Sequence, residues 1–238
     1  MRRISHLVYA AALIAGAASS SGCADNESVL FVKGVMVVKP PECSVVADSS
    51  ATTWLAGAFD NRFPFAYRAV LLVGNQITAR ASRDQLRTET SRVVIDGAEV
   101  RLTSPGSSSS GLGSFTMPAS GLIDPSTGTN PGWGAVAVTL IPDQSQVDAD
   151  IVVARVQVYG HTLGGQSVQS AWFPFTIYKE NLISYPGECI DPATEECSAA
   201  CDLTEDAPCH IGQDNLIPCN LCASYMADCR DPSSATQP

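Results

Sequence analysis

Residues 151–159, IVVARVQVY, carry the pattern that decides the fold class. The even-numbered residues of this stretch are all apolar, whereas Arg155 and Gln157 stand at odd-numbered positions. A period of two is typical of an antiparallel β-strand with one buried face, because successive side chains point to opposite sides. The stretch therefore predicts a half-buried strand in which Val156 faces inward and Arg155 faces outward.

Further strands are predicted where β-branched and aromatic residues are concentrated. These segments are residues 29–38, 65–73, 93–102, 133–141 and 170–179. Asp96 and Gly97 interrupt the third segment as a tight turn or a bulge, and the bulge is favoured because the apolar alternation shifts by one residue there. With no evident helical crossover, the pattern predicts an all-β fold over residues 29–183. The expected architecture is an antiparallel β-sandwich, either immunoglobulin-like or jelly-roll-like.

Turn chemistry separates these segments. Residues 160–165 predict the loop of a hairpin that joins 151–159 to 170–179, and Pro174 indicates an edge position or a bulge in the returning strand. Residues 104–114 and 124–132 are rich in Gly, Ser and Pro and are interpreted as surface loops.

The composition supports a packed core and argues against nucleic acid as a partner. The chain has 238 residues, of which 45% are hydrophobic and 16% charged, with a formal net charge of −10. An acidic surface without a Lys/Arg cluster repels phosphate backbones. We therefore expect a folded domain that does not bind nucleic acid.

The N-terminal residues 1–22 predict an export signal, because Arg2 and Arg3 precede a short apolar run that is too short to span a bilayer permanently. Cleavage could follow the small residues 15–17. Alternatively, the small residues before Cys23 resemble the lipobox of bacterial lipoproteins, in which this cysteine becomes the lipidated first residue. That resemblance implies acyl chains such as palmitate on Cys23, a tether over residues 24–28 and a membrane as partner. It also implies the bacterial cell envelope, as an outer-membrane lipoprotein that faces the periplasm or the cell surface.

The cysteine count supports the lipid interpretation, because nine cysteines leave an even number for disulfides if Cys23 carries lipid. Residues 184–232 predict a small disulfide-rich module, followed by a disordered tail at 233–238. If all eight remaining cysteines pair, one cysteine of the module must pair with Cys43. The disulfide candidates are Cys43, Cys189, Cys197, Cys201, Cys209, Cys219, Cys222 and Cys229.

The C-x-x-C pair at Cys219 and Cys222 could be a redox dithiol or half of a zinc site. A structural disulfide is the preferred interpretation, since the chain has no second C-x-x-C and no βαβ pattern. His161 is interpreted as a solvated turn residue and His210 as a surface residue. A cluster of three aspartates is interpreted as a solvated loop that does not match a calcium-binding pattern, namely Asp143, Asp148 and Asp150. The sequence thus predicts no catalytic residue, no metal site and no cofactor.

Two functional hypotheses remain. The first is a non-enzymatic envelope lipoprotein that acts as a surface interaction or structural module, with another envelope protein or a polysaccharide as its partner. The second is a carbohydrate-binding or hydrolytic accessory module, which requires an exposed aromatic platform or paired carboxylates on one sheet face. The candidate platform residues are Trp133, Tyr159 and Trp172.

Overall fold

Two β-sheets pack face to face in the computed structural model, which describes residues 29–80, 89–105, 112–184 and 208–218. The strands of the two sheets are β1 (Leu30–Met36), β2 (Thr53–Trp54), β3 (Gly57–Phe59), β4 (Tyr67–Asn75), β5 (Val93–Thr103), β6 (Ser114–Ile123), β7 (Gly132–Ile141), β8 (Ile151–Thr162), β9 (Ser167–Gln169) and β10 (Phe173–Lys179). Two short strands, β11 (Ile183–Ser184) and β12 (Ile217–Pro218), pair with each other in parallel. The prediction of an all-β sandwich is confirmed.

The strand order of the two sheets resembles that of an immunoglobulin-like sandwich. One sheet runs β2-β1-β4-β7, and the other runs β3-β10-β8-β5-β6, with β9 also pairing with β8. The neighbours within these sheets are antiparallel except β3 and β10, which are parallel. The order β1-β4-β7 opposite β10-β8-β5 matches strands A-B-E opposite G-F-C, and β6 adds a strand next to C as in variable-type domains.

The core lies between the sheets and is built from alternate residues of each long strand. Val156, predicted to face inward, is fully buried, whereas Arg155 is exposed. Residues that contribute to the core from both sheets include Leu71, Val73, Val136, Val138, Val100, Val158, Phe175 and Ile177. Large branched and aromatic side chains thus fill the space between the layers, which is the main favourable term for a fold of this kind.

A bulge in β5 is confirmed at the predicted place. The register of β5 against both β6 and β8 shifts between Ile95 and Gly97. Against β8, Asp96 is the extra residue, because Ile95 and Gly97 pair with the consecutive residues Gly160 and Tyr159. Before the bulge, Val93 and Ile95 face the core, and after it the buried positions move to Ala98 and the alternate residues beyond. The bulge therefore allows the apolar residues on both sides of it to face the core, although their sequence spacing shifts by one residue.

The hairpin after β8 differs from the prediction in one respect that matters for His161. β8 continues to Thr162, and the turn falls at residues 163–166, so His161 is a strand residue and not a turn residue. Backbone pairing explains the correction, since residues 160–162 pair with β5 on one side and Gly160 and His161 also pair with β9 on the other. The conformational freedom of glycine at position 160 is overridden by this pairing.

The returning segment of the hairpin is divided into β9 and β10, and both pair with β8. Pro174 lies opposite Arg155 of β8, whereas the parallel neighbour β3 contacts β10 only at Ile177–Lys179. Within the described residues, Pro174 therefore stands where β10 is an edge strand, as predicted. Its missing N–H group is tolerated there.

Residues 208–218, which we call the clasp, are tied to the sandwich by a disulfide and by side-chain hydrogen bonds. Cys43 is bonded to Cys209, a cysteine of the predicted module, across 166 residues of sequence. The side-chain amide of Gln213 accepts a hydrogen bond from the Arg68 N–H at 2.8 Å and donates one to the Arg68 carbonyl at 2.7 Å. Gln213 thus pairs with β4 much as a neighbouring strand would.

Several predictions fall outside the described residues. They are the export signal at 1–22, Cys23 with its tether at 24–28, the tail at 233–238, and the cysteines Cys189, Cys197, Cys201, Cys219, Cys222 and Cys229. The boundary of the predicted module near residue 184 also remains a prediction. Within the described ranges, no helix has the length and apolar character needed to cross a bilayer.

Candidate functional site

The outer face of the six-stranded sheet holds a cluster of charged and aromatic side chains, which we call the arginine–aromatic face. It consists of Glu99, Arg101, Arg155, Tyr159 and Trp172. Gln157 is on the same side of β8 but is buried. The strand period places all of its β5 and β8 members outward, because the core-facing residues of these strands alternate with them. The bulge in β5 determines which residues of β5 belong to this face, because the shift in register turns positions 99 and 101 outward.

Arg101 is held in a fixed position across this face. Its guanidinium carbon lies 4.1 Å from the centre of the Trp172 ring, within the range of a cation–π contact. Its Nε and Nη2 atoms both donate to Oε1 of Glu99, at 3.0 and 2.9 Å. A guanidinium has five N–H donors, so this arrangement orients Arg101 and still leaves donors for a further acceptor.

Arg155 lies directly opposite Arg101 in the pairing of β5 with β8. Two like charges in directly opposed positions destabilise a sheet pair. Arg101 forms an ion pair with Glu99. Among the described residues, no carboxylate lies within ion-pair distance of Arg155. The face therefore presents one paired and one unpaired guanidinium side by side.

Tyr159 lies flat over the bulge. A Cβ atom at Gly97 would come within 2.3 Å of the Tyr159 hydroxyl, so only glycine leaves room for the ring at this point. On the same strand, the Gln157 amide donates to the Ser170 carbonyl at 2.6 Å, which ties the segment before β10 to β8. These contacts restrict the Tyr159 ring and the segment that leads to Trp172.

An aspartate–histidine pair continues the face beyond Tyr159. Nδ1 of His161 lies 2.8 Å from Oδ2 of Asp96, the bulge residue, and both side chains are about half exposed. Ser167 of β9 is the cross-strand neighbour of His161 on the other side. In the described part of the chain the Ser167 hydroxyl makes no hydrogen bond to the imidazole ring, which a serine nucleophile activated by histidine requires.

The three rings proposed from the sequence as a platform are not brought together. Tyr159 and Trp172 share the arginine–aromatic face, whereas Trp133 lies on the outer face of the other sheet. There, the Trp133 ring meets Phe31 edge-on at 5.5 Å between ring centres, and the Lys33 ammonium lies 5.5 Å from the same ring. All three platform candidates are partly exposed.

A second cluster of titratable groups joins the clasp to the sandwich. Asp214 accepts hydrogen bonds from the Tyr67 hydroxyl at 2.7 Å and from the Ala58 N–H at 2.9 Å. Burial raises the pKa of the Asp214 carboxyl above its ordinary value, against the opposing effect of these hydrogen bonds. The pKa of Tyr67 is raised well above 10.0, first by burial and then by the neighbouring Asp214. The hydrogen bond between Tyr67 of β4 and Asp214 of the clasp therefore helps to hold the clasp against the sandwich.

His210, predicted as a surface residue, is half-buried in this cluster. Burial lowers the pKa of its imidazole, and the positive charge of Arg68 lowers it further. The correction has a simple cause, because the Cys43–Cys209 bond draws the neighbouring residue against the sandwich. Local sequence alone does not contain that constraint.

The three aspartates between β7 and β8 have separate structural roles. Asp143 accepts hydrogen bonds from the backbone N–H and the hydroxyl of Ser145, at the start of a short 3₁₀ turn. Asp148 and Asp150 lie 3.5 and 3.0 Å from the ammonium of Lys179. Among the described residues, no group of three His, Cys, Asp or Glu side chains is arranged to hold a metal ion.

Sequence reasoning missed the arginine–aromatic face as a site. The alternation in β8 showed which of its residues face outward, but Arg101 and Trp172 come from other segments, and their contact depends on strand order and register. The phase shift at Asp96 was the available signal for the outward direction of Glu99 and Arg101.

Comparison of the chain with family models, curated proteins and solved structures finds no match.

Proposed function

We propose that this chain is an exported, lipid-anchored protein of the bacterial cell envelope that acts without catalysis, as an interaction module. The observation that carries the proposal is the arginine–aromatic face, where two guanidinium groups and two aromatic rings are held outward on a rigid sheet. Arginine and large aromatic side chains are the residues that contribute most to recognition surfaces. In this proposal, that face binds another component of the envelope.

The anchor follows from Cys23 and from the start of the fold. The first strand begins at Leu30, and a fully extended chain between Cys23 and this residue reaches at most about 25 Å. The end of the sandwich near Leu30 would therefore stay close to the bilayer. Several acyl chains hold a protein on a membrane far more durably than one chain does.

A second candidate function, carbohydrate binding, is favoured by the exposure of Tyr159 and Trp172 on one sheet face. Rings with one exposed side can pack against sugar rings while their polar edges make hydrogen bonds. A hydrolytic role has less support, because the carboxylate of this face and the neighbouring carboxylate beyond Tyr159 are both already engaged. Asp96 contacts His161, and Glu99 contacts Arg101.

The anchor is tested by replacing Cys23 with Ser. We expect the wild-type protein in the membrane fraction and the Cys23→Ser protein in the soluble fraction, because the acyl chains attach through the cysteine sulfur. The matched control is Ser21→Ala, which keeps a small residue before the cysteine and should stay in the membrane. Identical fractionation of wild type and Cys23→Ser would contradict the anchor.

The interaction surface is tested by site-specific photo-crosslinking in intact cells. A photoreactive residue at the exposed position Gln169, which borders the arginine–aromatic face on β9, should link the protein to an envelope component. The matched control is Ala137, an exposed position on the outer face of the other sheet. Equal crosslinking from both positions, or none from Gln169, would argue against this face as the interaction surface.

A further inference from the structure

Resting on the proposed function, we propose that the arginine–aromatic face binds an acidic polysaccharide. Arg101 and Arg155 bind carboxylate groups of its uronic-acid units, and the rings of Tyr159 and Trp172 pack against its sugar rings. The ligand lies along β8, on the outer face of the sheet.

The pair of arginines selects for a carboxylate ligand. Arg101 and Arg155 lie directly opposite each other, so two positive charges are close together. The one carboxylate of the face, Glu99, already binds Arg101. A second carboxylate near Arg155 removes the repulsion between the guanidinium groups and gains charge-assisted hydrogen bonds. Arginine suits this task because its planar fork matches the two oxygens of a carboxylate.

Arg101 is prepared for binding before the ligand arrives. Stacking on Trp172 and two hydrogen bonds to Glu99 restrict its side chain, whereas an isolated arginine would lose rotamer freedom on binding. Because Glu99 contacts only the Nε side and one Nη2 donor, the remaining N–H groups can reach an acceptor above the sheet.

The shape of the face suits a chain of sugars better than a compact ligand. From Arg155 to His161 this side of β8 extends roughly 20 Å along the strand, long enough for several sugar units. Gln157 is buried between the exposed Arg155 and the partly exposed Tyr159, so these two offer the contacts to a ligand. Next to Tyr159, an open hollow is lined by Asp96, Ser167 and Gln169, which offer hydrogen-bonding groups to hydroxyls. Polar groups beside exposed rings are the combination that binds sugars through both their edges and their faces.

The overall charge restricts which polyanions fit. With a net charge of −10, the protein repels densely charged polymers at long range. A polysaccharide with carboxylates spaced along the chain meets the two arginines locally at a lower cost in repulsion. Binding should therefore depend on the carboxylate groups at this face and not on charge in general.

The experiment measures binding of oligogalacturonate to the full chain in detergent by isothermal titration calorimetry. Its methyl ester, which has the same sugar backbone without the charges, is the matched ligand, and dextran sulfate is the general polyanion. We expect saturable binding of oligogalacturonate and at least tenfold weaker binding of the methyl ester, because the ester loses the charge-assisted hydrogen bonds to the two guanidinium groups.

The variant Arg155→Gln should weaken oligogalacturonate binding by about tenfold or more. Its thermal stability should stay close to that of the wild type, because Arg155 has no side-chain partner among the described residues. Trp172→Ala should also weaken binding. The matched control is Lys33→Gln, which removes an exposed cation beside a tryptophan on the other sheet and should leave binding unchanged.

Three results would overturn the proposal: no saturable binding of oligogalacturonate, equal binding of the methyl ester or of dextran sulfate, or an equal loss in Lys33→Gln. The crosslinking experiment separates this failure from that of the proposed function. If Gln169 crosslinks to an envelope component while oligogalacturonate does not bind, the interaction module stands and the acidic polysaccharide does not.

Discussion

At the scale of single residues, Asp214 makes the attachment of the clasp sensitive to pH. It adopts a left-handed backbone conformation, with φ of 61°, and its carboxyl is held by the Tyr67 hydroxyl and the Ala58 N–H. Asparagine tolerates this conformation and cannot ionise. Asp214→Asn therefore removes the titration while it keeps the backbone geometry.

We predict that Asp214 lowers stability as the pH rises. Burial raises the folded-state pKa of Asp214 above its ordinary value of 3.8. Between these two pKa values the folded protein binds more protons than the unfolded chain, so the free energy of unfolding falls as the pH rises through the window. Urea unfolding of wild type and Asp214→Asn from pH 3 upward should show the wild type losing stability relative to the variant. Parallel curves for the two proteins would contradict the prediction.

Neighbouring residues on β8 should differ sharply in their tolerance of charge. Val156 is fully buried, so Val156→Asp places an unpaired carboxylate in the core and should cost several kcal/mol. Arg155→Asp changes an exposed side chain and should cost less than about 1 kcal/mol. Thermal unfolding of both variants measures the difference, and equal shifts would mean that the strand is wrongly oriented.

At the scale of elements, the packing of Phe31 over Gly74 holds the outer face of the four-stranded sheet. A Cβ atom at Gly74 would lie 2.3 Å from the nearest atom of the Phe31 ring, and the other close contacts are also with this ring. We predict that Gly74→Ala destabilises the protein by about 1–3 kcal/mol because it displaces the ring.

The same substitution in a Phe31→Ala background provides the control. With the ring removed, Gly74→Ala should be neutral or should stabilise the protein by up to about 1 kcal/mol, because alanine restricts the unfolded chain. The four proteins form a double-mutant cycle measured by urea unfolding. A Gly74→Ala cost that is the same in both backgrounds would show that the ring is not its cause.

The long strands could be predicted from the sequence, but β6 could not. Alternation or β-branched composition marks the other long strands, whereas β6 contains Ser, Gly and Pro118 and does not show a clear strand pattern. Its core-side residues Phe115 and Met117 do alternate, but their signal is weak because an edge strand buries little of each residue. The short strand β3 depends on its parallel partner β10 and has no local pattern of its own.

In the candidate site too, features that depend on one strand could be predicted from the sequence, whereas contacts between strands could not. The outward direction of Arg155, Gln157 and Tyr159 was evident from the period of two, because it depends on one strand alone. The contact of Arg101 with Trp172 depends on the register of β5 and on the break between β9 and β10. Such contacts join residues 71 positions apart in sequence and have no local signature.

At the scale of the whole molecule, the Cys43–Cys209 bond should contribute strongly to stability. A loop of 166 residues corresponds to about 5 kcal/mol at most from restriction of the unfolded chain. We predict that replacing both cysteines with Ser lowers the free energy of unfolding by a large part of this value. Peptide mapping without reduction should find the Cys43 and Cys209 peptides linked. A free thiol at Cys43, or its linkage to Cys23, would contradict both the clasp and the parity argument for lipid on Cys23.

The same disulfide also decides how the chain would carry a mechanical load. Tension applied between Val29 and Pro218 passes along the backbone to Cys43, crosses the sulfur–sulfur bond to Cys209 and leaves through the rest of the clasp. The intervening chain, which includes β4 to β10, lies outside this load path. Under such a pull only residues 29–42 and 210–218 can lengthen, so the sheet that displays Arg101 and Arg155 would keep its shape while β1 peels away from β4.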